Sequence, residues 1–536
     1  MELNTQGLTD RKQWEERGYI LPRFEREKAA AAARENPFWI HFGAGNIFRA
    51  FQANVAQRLL EQGVIEQGLI VAEGFDHEII EKIYRPHDNY SILVTLKGDG
   101  EITKTVVGSV TESLLLDSEN EEAYKRLKDI FSKDSLQMAT FTITEKGYCL
   151  TDSKGGLLPD VTEDFIQGPK KPKSYMGKIT ALLYTRYETG EKPLAMVSMD
   201  NCSHNGEKLY AAVHAFAMAW IKNGRIREGF LDYIKDKDKV SFPWTMIDKI
   251  TPRPDDKVKA LLEADGLKDQ NPVITAKHTY IAPYVNGEEC EYLVIEDAFP
   301  NGRPKLEKGG VFLTSRETVE KAEKMKVCTC LNPLHTALAV YGCLLGYEKI
   351  SDEMKDPELK KLAELLGYQE GLPAAADPGI LNPEEFLDKV LKERLPNPFL
   401  PDTPQRIATD TSQKLAIRFG ETIKAYERAE DLDVRDLKGI PLVFAGWLRY
   451  LMGTDDKGET FDPSPDPLLE QLCPRLCVLK LVRDQDIEKA VAPVLKMKSI
   501  FGVDLYEAGL AGQVIQYMKE LTEGPGAVRK TLKKYL

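Results

Sequence analysis

A glycine-bearing turn between a short apolar strand and a helix pattern is the feature that most constrains the fold of this chain. The apolar residues 38–42 run straight into Gly43-Ala-Gly45, and a helix pattern follows at once. A second apolar strand then ends in two acidic residues, Glu73 and Asp76. Strand, glycine turn, helix, strand and acid is the order of a dinucleotide-binding βαβ unit. We therefore expect an α/β protein whose N-terminal part is a Rossmann-type nucleotide domain.

The same unit suggests which residues would hold a cofactor. Glycines let the backbone approach a pyrophosphate at the start of the following helix. A carboxylate after the second strand accepts hydrogen bonds from ribose hydroxyls and repels a 2′-phosphate. The third glycine of the usual fingerprint is replaced here by Phe48. The expected cofactor is NAD, and the expected binding residues are Gly43, Gly45, Asn46, Ile47, Phe48 and one of Glu73 and Asp76.

Length, charge and cysteine content narrow the class of protein. A chain of 536 residues is too long for one core, and its formal charge of −12 disfavours nucleic acid and acidic membranes. The N-terminus lacks the apolar stretch of a signal peptide, and no apolar run suggests a membrane span. Eight cysteines do not suggest a disulfide scaffold, and the seven histidines include no H-x-x-x-H pair. We expect a cytoplasmic monomer or weak dimer with no metal, no membrane partner and no nucleic-acid partner.

Strand-like and helical patterns divide the chain into parts. Strand-like runs at 91–96, 103–107, 139–144 and 194–199 are expected to extend one sheet, which finishes near residue 296. Helical periodicity dominates from about residue 318. We therefore expect an N-terminal helical arm at 1–35, a Rossmann-type NAD-binding domain at 36–310 and a mostly α-helical substrate and catalytic domain at 311–536.

Lys326, Asn332 and His335 lie close together in a segment that leads into a helix. Asn332 is a good N-cap and Pro333 suits the first helical position, so the helix is expected to begin there and to end near Gly346. A desolvated amine can act as a general acid or base, and an amide beside helix N–H groups can hold a carbonyl or alcohol oxygen. The segment fits proton transfer to or from a sugar hydroxyl. Taken alone, it fits equally well a capped amphipathic helix with a surface lysine and a core histidine.

Several further motifs, in order along the chain, make it resemble a known family. They span residues 40 to 466 and comprise 41–52 (HFGAGNIFRAFQ), 142–148 (TITEKGY), 198–206 (SMDNCSHNG), 242–252 (FPWTMIDKITP), 294–297 (VIED), 302–304 (GRP), 326–335 (KVCTCLNPLH) and 402–414 (DTPQRIATDTSQK). The chain resembles the polyol-specific long-chain dehydrogenases, which include mannitol 2-dehydrogenase, fructuronate reductase and tagaturonate reductase.

The resemblance implies a mechanism without metal and a role for individual residues. Lys326 would be the general acid/base, and Asn201 and Asn332 would orient the oxygen that gains or loses charge. His335 would hold the substrate near the lysine. The rest of the sugar would be bound by Asp248, Arg406 and Lys414. Each residue also has a structural alternative: Asn201 could belong only to a polar turn, Asp248 could pair with Lys249, and the two cations could lie on a solvated helix face.

One departure from the family pattern concerns the acid/base lysine. Family members usually have four residues between this lysine and the asparagine, whereas five separate Lys326 from Asn332. In a continuous α-helix the extra residue would rotate the lysine by about 100°. Because Pro333 suggests that the helix begins only there, we expect the extra residue to fall in a non-helical connector at 327–331. Lys324 is the alternative acid/base.

The substrate class follows less directly from the residues. Asn332-Pro-Leu-His335-Thr336 resembles the N-x-x-H-T of tagaturonate reductases, and the chain is longer than typical mannitol dehydrogenases. We expect reduction of D-fructuronate to D-mannonate. The second alternative is tagaturonate reductase activity, and the third is mannitol 2-dehydrogenase activity. An alternative of another class is a catalytically silent nucleotide-binding sensor, which the displaced lysine would favour.

Overall fold

The computed structural model describes residues 1–483 and 485–536 and divides them into two compact units. The first unit contains residues 1–96 and 101–319, and the second contains residues 97–100 and 320–536. The chain passes from one unit to the other within the helix Arg316–Lys324. The boundaries at residues 35 and 310 that we drew from the sequence stay predictions.

A six-stranded, entirely parallel sheet is the framework of the first unit. Numbered along the chain within this sheet, its strands lie in the order 3-2-1-4-5-6, which is the order of the Rossmann fold. Across the sheet the strands are Val110–Leu115, Leu69–Glu73, Trp39–Phe42, Met138–Phe141, Leu194–Ser198 and Val240–Ser241. The strand order reverses between Trp39–Phe42 and Met138–Phe141, and ligands of such folds bind outside the carboxyl ends of the strands at this point.

Both faces of this sheet are buried at its four inner strands, which explains why these are mostly apolar, whereas the edge strand Val110–Leu115 carries polar residues. Successive residues of one strand contribute to different cores: Trp39 belongs to one cluster of buried side chains, and Ile40 and Phe42 belong to the other. Helices cover both faces, as a parallel sheet requires. The helical segments of this unit are Gly7–Thr9, Arg11–Glu15, Arg26–Glu35, Phe48–Gln52, Ala53–Glu61, Ile80–Tyr84, Arg85–His87, Glu121–Ser132, Thr144–Gly147, Pro159–Gln167, Tyr175–Glu188, Asn205–Lys222, Gly229–Lys235, Asp256–Ala264 and Leu306–Gly309.

Three smaller sheets complete the first unit, and one of them corrects an expectation. Ser91–Leu96 and Ile102–Val107 were expected in the main sheet, but they form an antiparallel pair in a separate four-stranded sheet. Tyr284–Glu288 pairs with Ser91–Leu96 from far along the chain, which no local pattern reveals. The strands of the smaller sheets are Tyr19–Ile20, Ile102–Val107, Ser91–Leu96 and Tyr284–Glu288; Thr245–Asp248, Tyr292–Glu296 and Phe312–Thr314; and Val273–Ile274 and Tyr280–Ile281.

The sequence suggested a purely helical N-terminal arm at 1–35, but the structure shows a strand there as well. Its Ala-rich part is the helix Arg26–Glu35, as expected. Tyr19–Ile20, however, is a short strand that pairs in parallel with Ile102–Val107. The segment therefore adds an edge strand to the four-stranded sheet of the first unit.

The second unit is helical in all its named elements. Gly439–Tyr450, its central helix, is buried at all twelve positions. Glu370 caps this helix by accepting hydrogen bonds from the N–H groups of Lys438, Gly439 and Ile440. The helical segments are Met325–Cys330, Asn332–Leu345, Ile350–Glu353, Pro357–Glu364, Leu365–Gly371, Leu372–Ala374, Pro383–Lys389, Val390–Arg394, Pro404–Ile407, Thr411–Gln413, Ala416–Gly420, Glu421–Arg428, Val434–Asp436, Gly439–Tyr450, Leu469–Leu476, Ile487–Leu495, Lys498–Phe501, Ala511–Leu521 and Ala527–Tyr535.

Candidate functional site

The glycine turn lies where the strand order of the parallel sheet reverses. Gly43 has a φ of +104°, and a Cβ added there would lie 2.2 Å from the carbonyl oxygen of Thr142. Only glycine fits such a position, because it needs both a left-handed backbone and close contact with the neighbouring strand end. At Gly45 an added Cβ would meet nothing within 4 Å. The two glycines therefore do different things: one lets the strands meet, and the other leaves space in front of the turn.

The helix after the turn begins at Asn46 and contains a π-helical turn, Phe48–Gln52. Phe48 is fully buried and stacks on the ring of His41, with a centroid distance of 4.2 Å. The residue in the place of the third glycine is thus a core residue. Asn46 Oδ1 is buried and has no hydrogen-bond partner within the described residues.

The two acids after the second strand are both buried, but they are bonded differently. Glu73 accepts hydrogen bonds from the backbone N–H groups of Ala44 at 2.7 Å, Phe75 at 2.8 Å and Asp76 at 3.1 Å. This carboxylate therefore fixes the shape of the glycine turn. Asp76 Oδ2 accepts from the Thr275 hydroxyl at 2.6 Å, and its Oδ1 makes no hydrogen bond within the described chain. Asp76 is the acid with an oxygen left for a ligand.

A cavity of about 750 Å³ opens in front of these residues. Gly43, Gly45, Glu73, Asp76 and Tyr175 are among the residues that line it. The cavity lies at the carboxyl edge of the sheet at the reversal point, where a Rossmann fold binds its ligand. A Cβ at Gly45 would fill part of its space, so the glycine turn and the cavity match each other. These residues fit a dinucleotide.

A second loop of the first unit carries Asn201. Asp200 precedes it and accepts hydrogen bonds from the Ile143 N–H at 3.0 Å, the Thr144 N–H at 2.8 Å and the Tyr148 hydroxyl at 2.5 Å. Burial raises the pKa of Asp200, while these hydrogen bonds oppose that rise. Asp200 thereby ties the Asn201 loop to the segment that begins at Ile143 and lines the cavity.

Asn205 links the same loop to the strand that ends in Asp248. Its Nδ2 donates to the Asp200 carbonyl and to both the carbonyl and the hydroxyl of Thr245. Its Oδ1 accepts from the Thr245 N–H at 3.0 Å. Asp248 is the last residue of that strand and is 7% exposed. The first unit thus brings the Asn201 loop and the strand of Asp248 together through one buried asparagine.

The extra residue near Lys326 is accommodated by a π-helical turn, which corrects the expected non-helical connector. Met325–Cys330 is π-helical, and the Leu331 N–H donates to the Lys326 carbonyl at 3.1 Å, five residues back. A π-turn takes up one residue more per turn than an α-turn, so an inserted residue lengthens the turn instead of rotating what precedes it. The side chain of Lys326 lies in this turn, and the residue is 3% exposed. A displaced lysine is therefore no evidence for a silent protein.

The helix that begins at Asn332 differs in its start from what we expected. It runs over Asn332–Leu345 and ends at Gly346, whose φ of +78° is that of a glycine C-cap. Its flanking residue is Leu331, however, and no side chain caps it. Asn332 is a helical residue, because the π-turn continues almost directly into the helix.

Asp402 connects two residues that the sequence had nominated separately. Its carboxylate Oδ2 lies 3.6 Å from His335 Nε2, and its Oδ1 accepts a hydrogen bond from the Arg406 guanidinium. The Asp402 side chain is only 10% exposed, whereas that of Arg406 is 63% exposed. The charge of Arg406 is therefore already balanced by a contacting carboxylate.

Lys414 and Arg418 lie one turn apart, and each is bonded to neutral groups. Lys414 Nζ donates to the carbonyls of Ile407, at 3.2 Å, and Thr409. Arg418 Nη1 donates to the Thr336 hydroxyl at 2.5 Å and to the Asn332 carbonyl at 3.4 Å. Burial lowers the pKa of both, that of Arg418 to about 10, and the charge of Arg418 lowers that of Lys414 further.

Arg406 and Lys414 do not share one helix face, although eight residues separate them. The helix Pro404–Ile407 ends between them, and Asp410 has a left-handed φ of +54°. The Lys414 amine returns to this region only through its hydrogen bonds to Ile407 and Thr409.

Comparison with known proteins identifies the family. The Rossmann-domain model of mannitol dehydrogenase matches residues 38–308, and the model of the mannitol dehydrogenase C-terminal domain matches residues 318–522. The chain belongs to the mannitol dehydrogenase family. The resemblance seen in the sequence motifs and the Rossmann-type fold followed by a mostly helical domain are thereby confirmed.

Similar proteins include members with different substrates in their names. The D-mannonate oxidoreductase of Thermotoga maritima is 53% identical over 534 residues, which are 99% of this chain and 98% of that protein. The D-mannonate oxidoreductase of Escherichia coli is 29% identical, over 90% of this chain and 93% of that protein. The crystal structure of Pseudomonas fluorescens mannitol 2-dehydrogenase with NAD and D-mannitol is 26% identical, with a TM-score of 0.69 over 100% of this chain and 99% of that one.

Asp402 and Arg418 are the residues of interest that our sequence reasoning missed. A signal for each was present, because Asp402 lies four residues before Arg406 and Arg418 four residues after Lys414. Side chains four residues apart can contact each other at a helix or at its start, and Asp402 precedes the helix Pro404–Ile407 that carries Arg406. The sequence motifs nominate each cation by itself and do not display which of them has a carboxylate partner.

Metal-binding clusters and membrane-spanning helices were both expected to be absent. Among the described residues, no group of three or more His, Cys, Asp or Glu side chains could hold a metal ion. The helical run Arg316–Leu345 is long and apolar enough to cross a membrane, contrary to our expectation from the sequence. Its most apolar window is 78% buried inside the protein, as in the core helix of a soluble protein.

Proposed function

We propose that this chain is an NAD-dependent D-mannonate oxidoreductase, which reduces D-fructuronate to D-mannonate in a reversible reaction. The observation that carries the proposal is the 53% identity with the Thermotoga maritima D-mannonate oxidoreductase over nearly the whole of both chains. Relatives named for neutral polyols are much more distant; the mannitol 2-dehydrogenase of Emericella nidulans, for example, is 29% identical. The difference in identity favours a hexuronate over a neutral ketose as substrate.

The cofactor assignment is supported by the cavity of the first unit. The backbone around Gly43 and Gly45 would take the pyrophosphate, and Asp76 Oδ1 would accept from a ribose hydroxyl. We assign the ribose to Asp76 and not to Glu73, because three backbone N–H groups already occupy Glu73. A carboxylate at this place disfavours the 2′-phosphate of NADP. NADH, when bound, supplies the hydride.

We assign the proton to Lys326. Its amine would protonate the oxygen of the sugar carbonyl during reduction and accept the proton during oxidation. Asn201 and Asn332 would orient that oxygen by hydrogen bonds that strengthen as negative charge develops on it. His335, held by Asp402, would bind a neighbouring hydroxyl. Asp248, Arg406 and Lys414 would bind the remainder of the sugar acid.

The test is NADH oxidation, followed at 340 nm, with D-fructuronate, D-tagaturonate and D-fructose in parallel. We expect the highest kcat/KM for D-fructuronate. Lys326→Met should lower kcat by about 100- to 10,000-fold while NADH still binds, since this is what general acid–base catalysis contributes. Lys324→Met is the matched control, because Lys324 is an exposed lysine two residues away that pairs with Glu320. Equal activity of wild type and Lys326→Met would contradict the assignment of the proton.

We further propose a cytoplasmic location and a monomer or weak dimer. The composition, with 42% apolar and 29% charged residues, is ordinary for a soluble protein and supports the location. Size-exclusion chromatography with light scattering measures the oligomeric state directly.

A further inference from the structure

The cations around the start of the helix Asn332–Leu345 differ in what balances their charge. Arg406 contacts the carboxylate of Asp402, and its side chain is largely exposed. Arg418 and Lys414 contact no carboxylate within the described residues; their acceptors are a hydroxyl and main-chain carbonyls. Partly burying a cation without a contacting anion costs free energy, and an anionic ligand would offset that cost for this pair.

Arg418 also has donors to spare. Its Nη1 holds Thr336 and Asn332, while its Nε and Nη2 make no hydrogen bond within the described chain. A guanidinium with one side of its fork open matches the geometry of a carboxylate, which it binds through two parallel hydrogen bonds. Lys414 has three N–H donors and uses two of them on Ile407 and Thr409, so one remains.

The position of Arg418 connects this pair to the proposed reaction. Its two acceptors, the Asn332 carbonyl and the Thr336 hydroxyl, lie on either side of His335 in the first turn of one helix. The backbone N–H of Arg418 donates to the backbone carbonyl of Lys414 at 2.9 Å, so the two residues lie on successive turns. Burial of Lys414 and the nearby charge of Arg418 lower the pKa of Lys414, and the more distant carboxylates of Asp410 and Asp466 only partly oppose this.

We propose that Arg418, together with Lys414, binds the carboxylate of the sugar-acid substrate. The inference rests on the proposed function, since it assigns a residue to the group that distinguishes a hexuronate from a neutral ketose. Arg406 is then not the carboxylate ligand: its charge is balanced by Asp402, and it acts near His335. Discrimination between D-fructuronate and D-fructose then depends on Lys414 and on Arg418, which lies outside the family motifs of the sequence.

The test compares Arg418→Gln and Arg418→Lys with the control Arg428→Gln. Arg428 is an exposed arginine in the helix Glu421–Arg428, which follows the segment of Arg418. In Arg418→Gln we expect kcat/KM for D-fructuronate to fall about 10- to 100-fold, mainly through KM, because a hydrogen-bonded charge is lost. For D-fructose the change should stay below about threefold. The kcat/KM of Arg418→Lys for D-fructuronate should lie between those of Arg418→Gln and wild type, since lysine keeps the charge but loses the two parallel donors of the guanidinium.

The outcomes separate this inference from the proposed function. An equal loss for D-fructuronate and D-fructose would show that Arg418 only supports the helix and would overturn the inference, as would wild-type kinetics in Arg418→Gln. Inhibition by D-mannonate and by D-mannitol gives the same comparison without turnover, and only the first should weaken. Wild type that reduces D-tagaturonate and not D-fructuronate would refute the proposed substrate, while Arg418 would still be tested on the carboxylate of that sugar.

Discussion

Replacement of Glu73 by glutamine tests the claim that this carboxylate builds the glycine turn and does not bind the cofactor. Glu73 is 5% exposed and accepts three backbone hydrogen bonds, from Ala44 through Oε2 and from Phe75 and Asp76 through Oε1. A glutamine in the same place keeps one acceptor oxygen, so at least one N–H group must face the amide NH2. An unsatisfied buried donor costs about 1–3 kcal/mol, and loss of the charge on the remaining bonds adds to this cost. We expect a loss of about 2–4 kcal/mol in the free energy of unfolding.

The assay for Glu73→Gln is urea denaturation followed by tryptophan fluorescence. Of the five tryptophans, Trp14, Trp39, Trp220 and Trp244 belong to the first unit, so the signal mainly reports the unit that contains Glu73. Glu66→Gln is the control, because it removes the same charge from an exposed position. A loss below about 0.5 kcal/mol in Glu73→Gln would refute the reasoning.

Three further changes test other parts of the account. Asp76→Asn should raise the ratio of kcat/KM for NADPH over NADH about tenfold or more, measured by parallel kinetics, because the carboxylate that repels a 2′-phosphate is gone. Glu353 is fully buried, and neither of its carboxyl oxygens has a partner within the described chain; burial raises its pKa well above the ordinary value. The folded state therefore binds this proton more tightly than the unfolded state, so stability falls as the pH rises from about 4.3, the unfolded value. Glu353→Gln should thus match wild type in melting temperature near pH 4 and exceed it at pH 8; a lower melting temperature at pH 8 would contradict this. Deletion of Cys328 should convert the π-turn Met325–Cys330 into an α-turn and retain activity within about tenfold, whereas an alanine inserted after Cys328 should abolish it; equal loss in both variants would contradict the role of the π-turn.

Four of the six strands of the parallel sheet could be predicted because their signals are local, whereas Val110–Leu115 and Val240–Ser241 were not predicted. The strand before Gly43 and the strand that ends in Glu73 are short apolar runs with turns at both ends, which a single sequence displays. The four-stranded sheet could not be predicted in the same way. Its strand Tyr284–Glu288 pairs with Ser91–Leu96 across nearly 200 residues, and such pairing depends on tertiary packing.

The site residues stay predictions, and what the sequence left undecided about them has a common cause. Residue types and order nominated Lys326 and His335, but hydrogen-bond register decides whether an inserted residue rotates a helix, and sequence does not display that register. The charge of a cation is balanced only if its side chain contacts a carboxylate, and the sequence does not display such contacts either. The sequence nominates Arg406 as a substrate ligand but does not display its pairing with Asp402. It does not nominate Arg418, because the contact of Arg418 with Thr336 is seen only in the structure.

The central claim is tested most directly by the product of the reaction. Purified protein would be incubated with D-fructuronate and NADH that carries deuterium at C4 of the nicotinamide, and the sugar product would be identified by NMR. The account predicts D-mannonate with deuterium on the carbon that was the ketone. A different epimer as product, or no turnover of D-fructuronate while D-fructose is reduced, would contradict it.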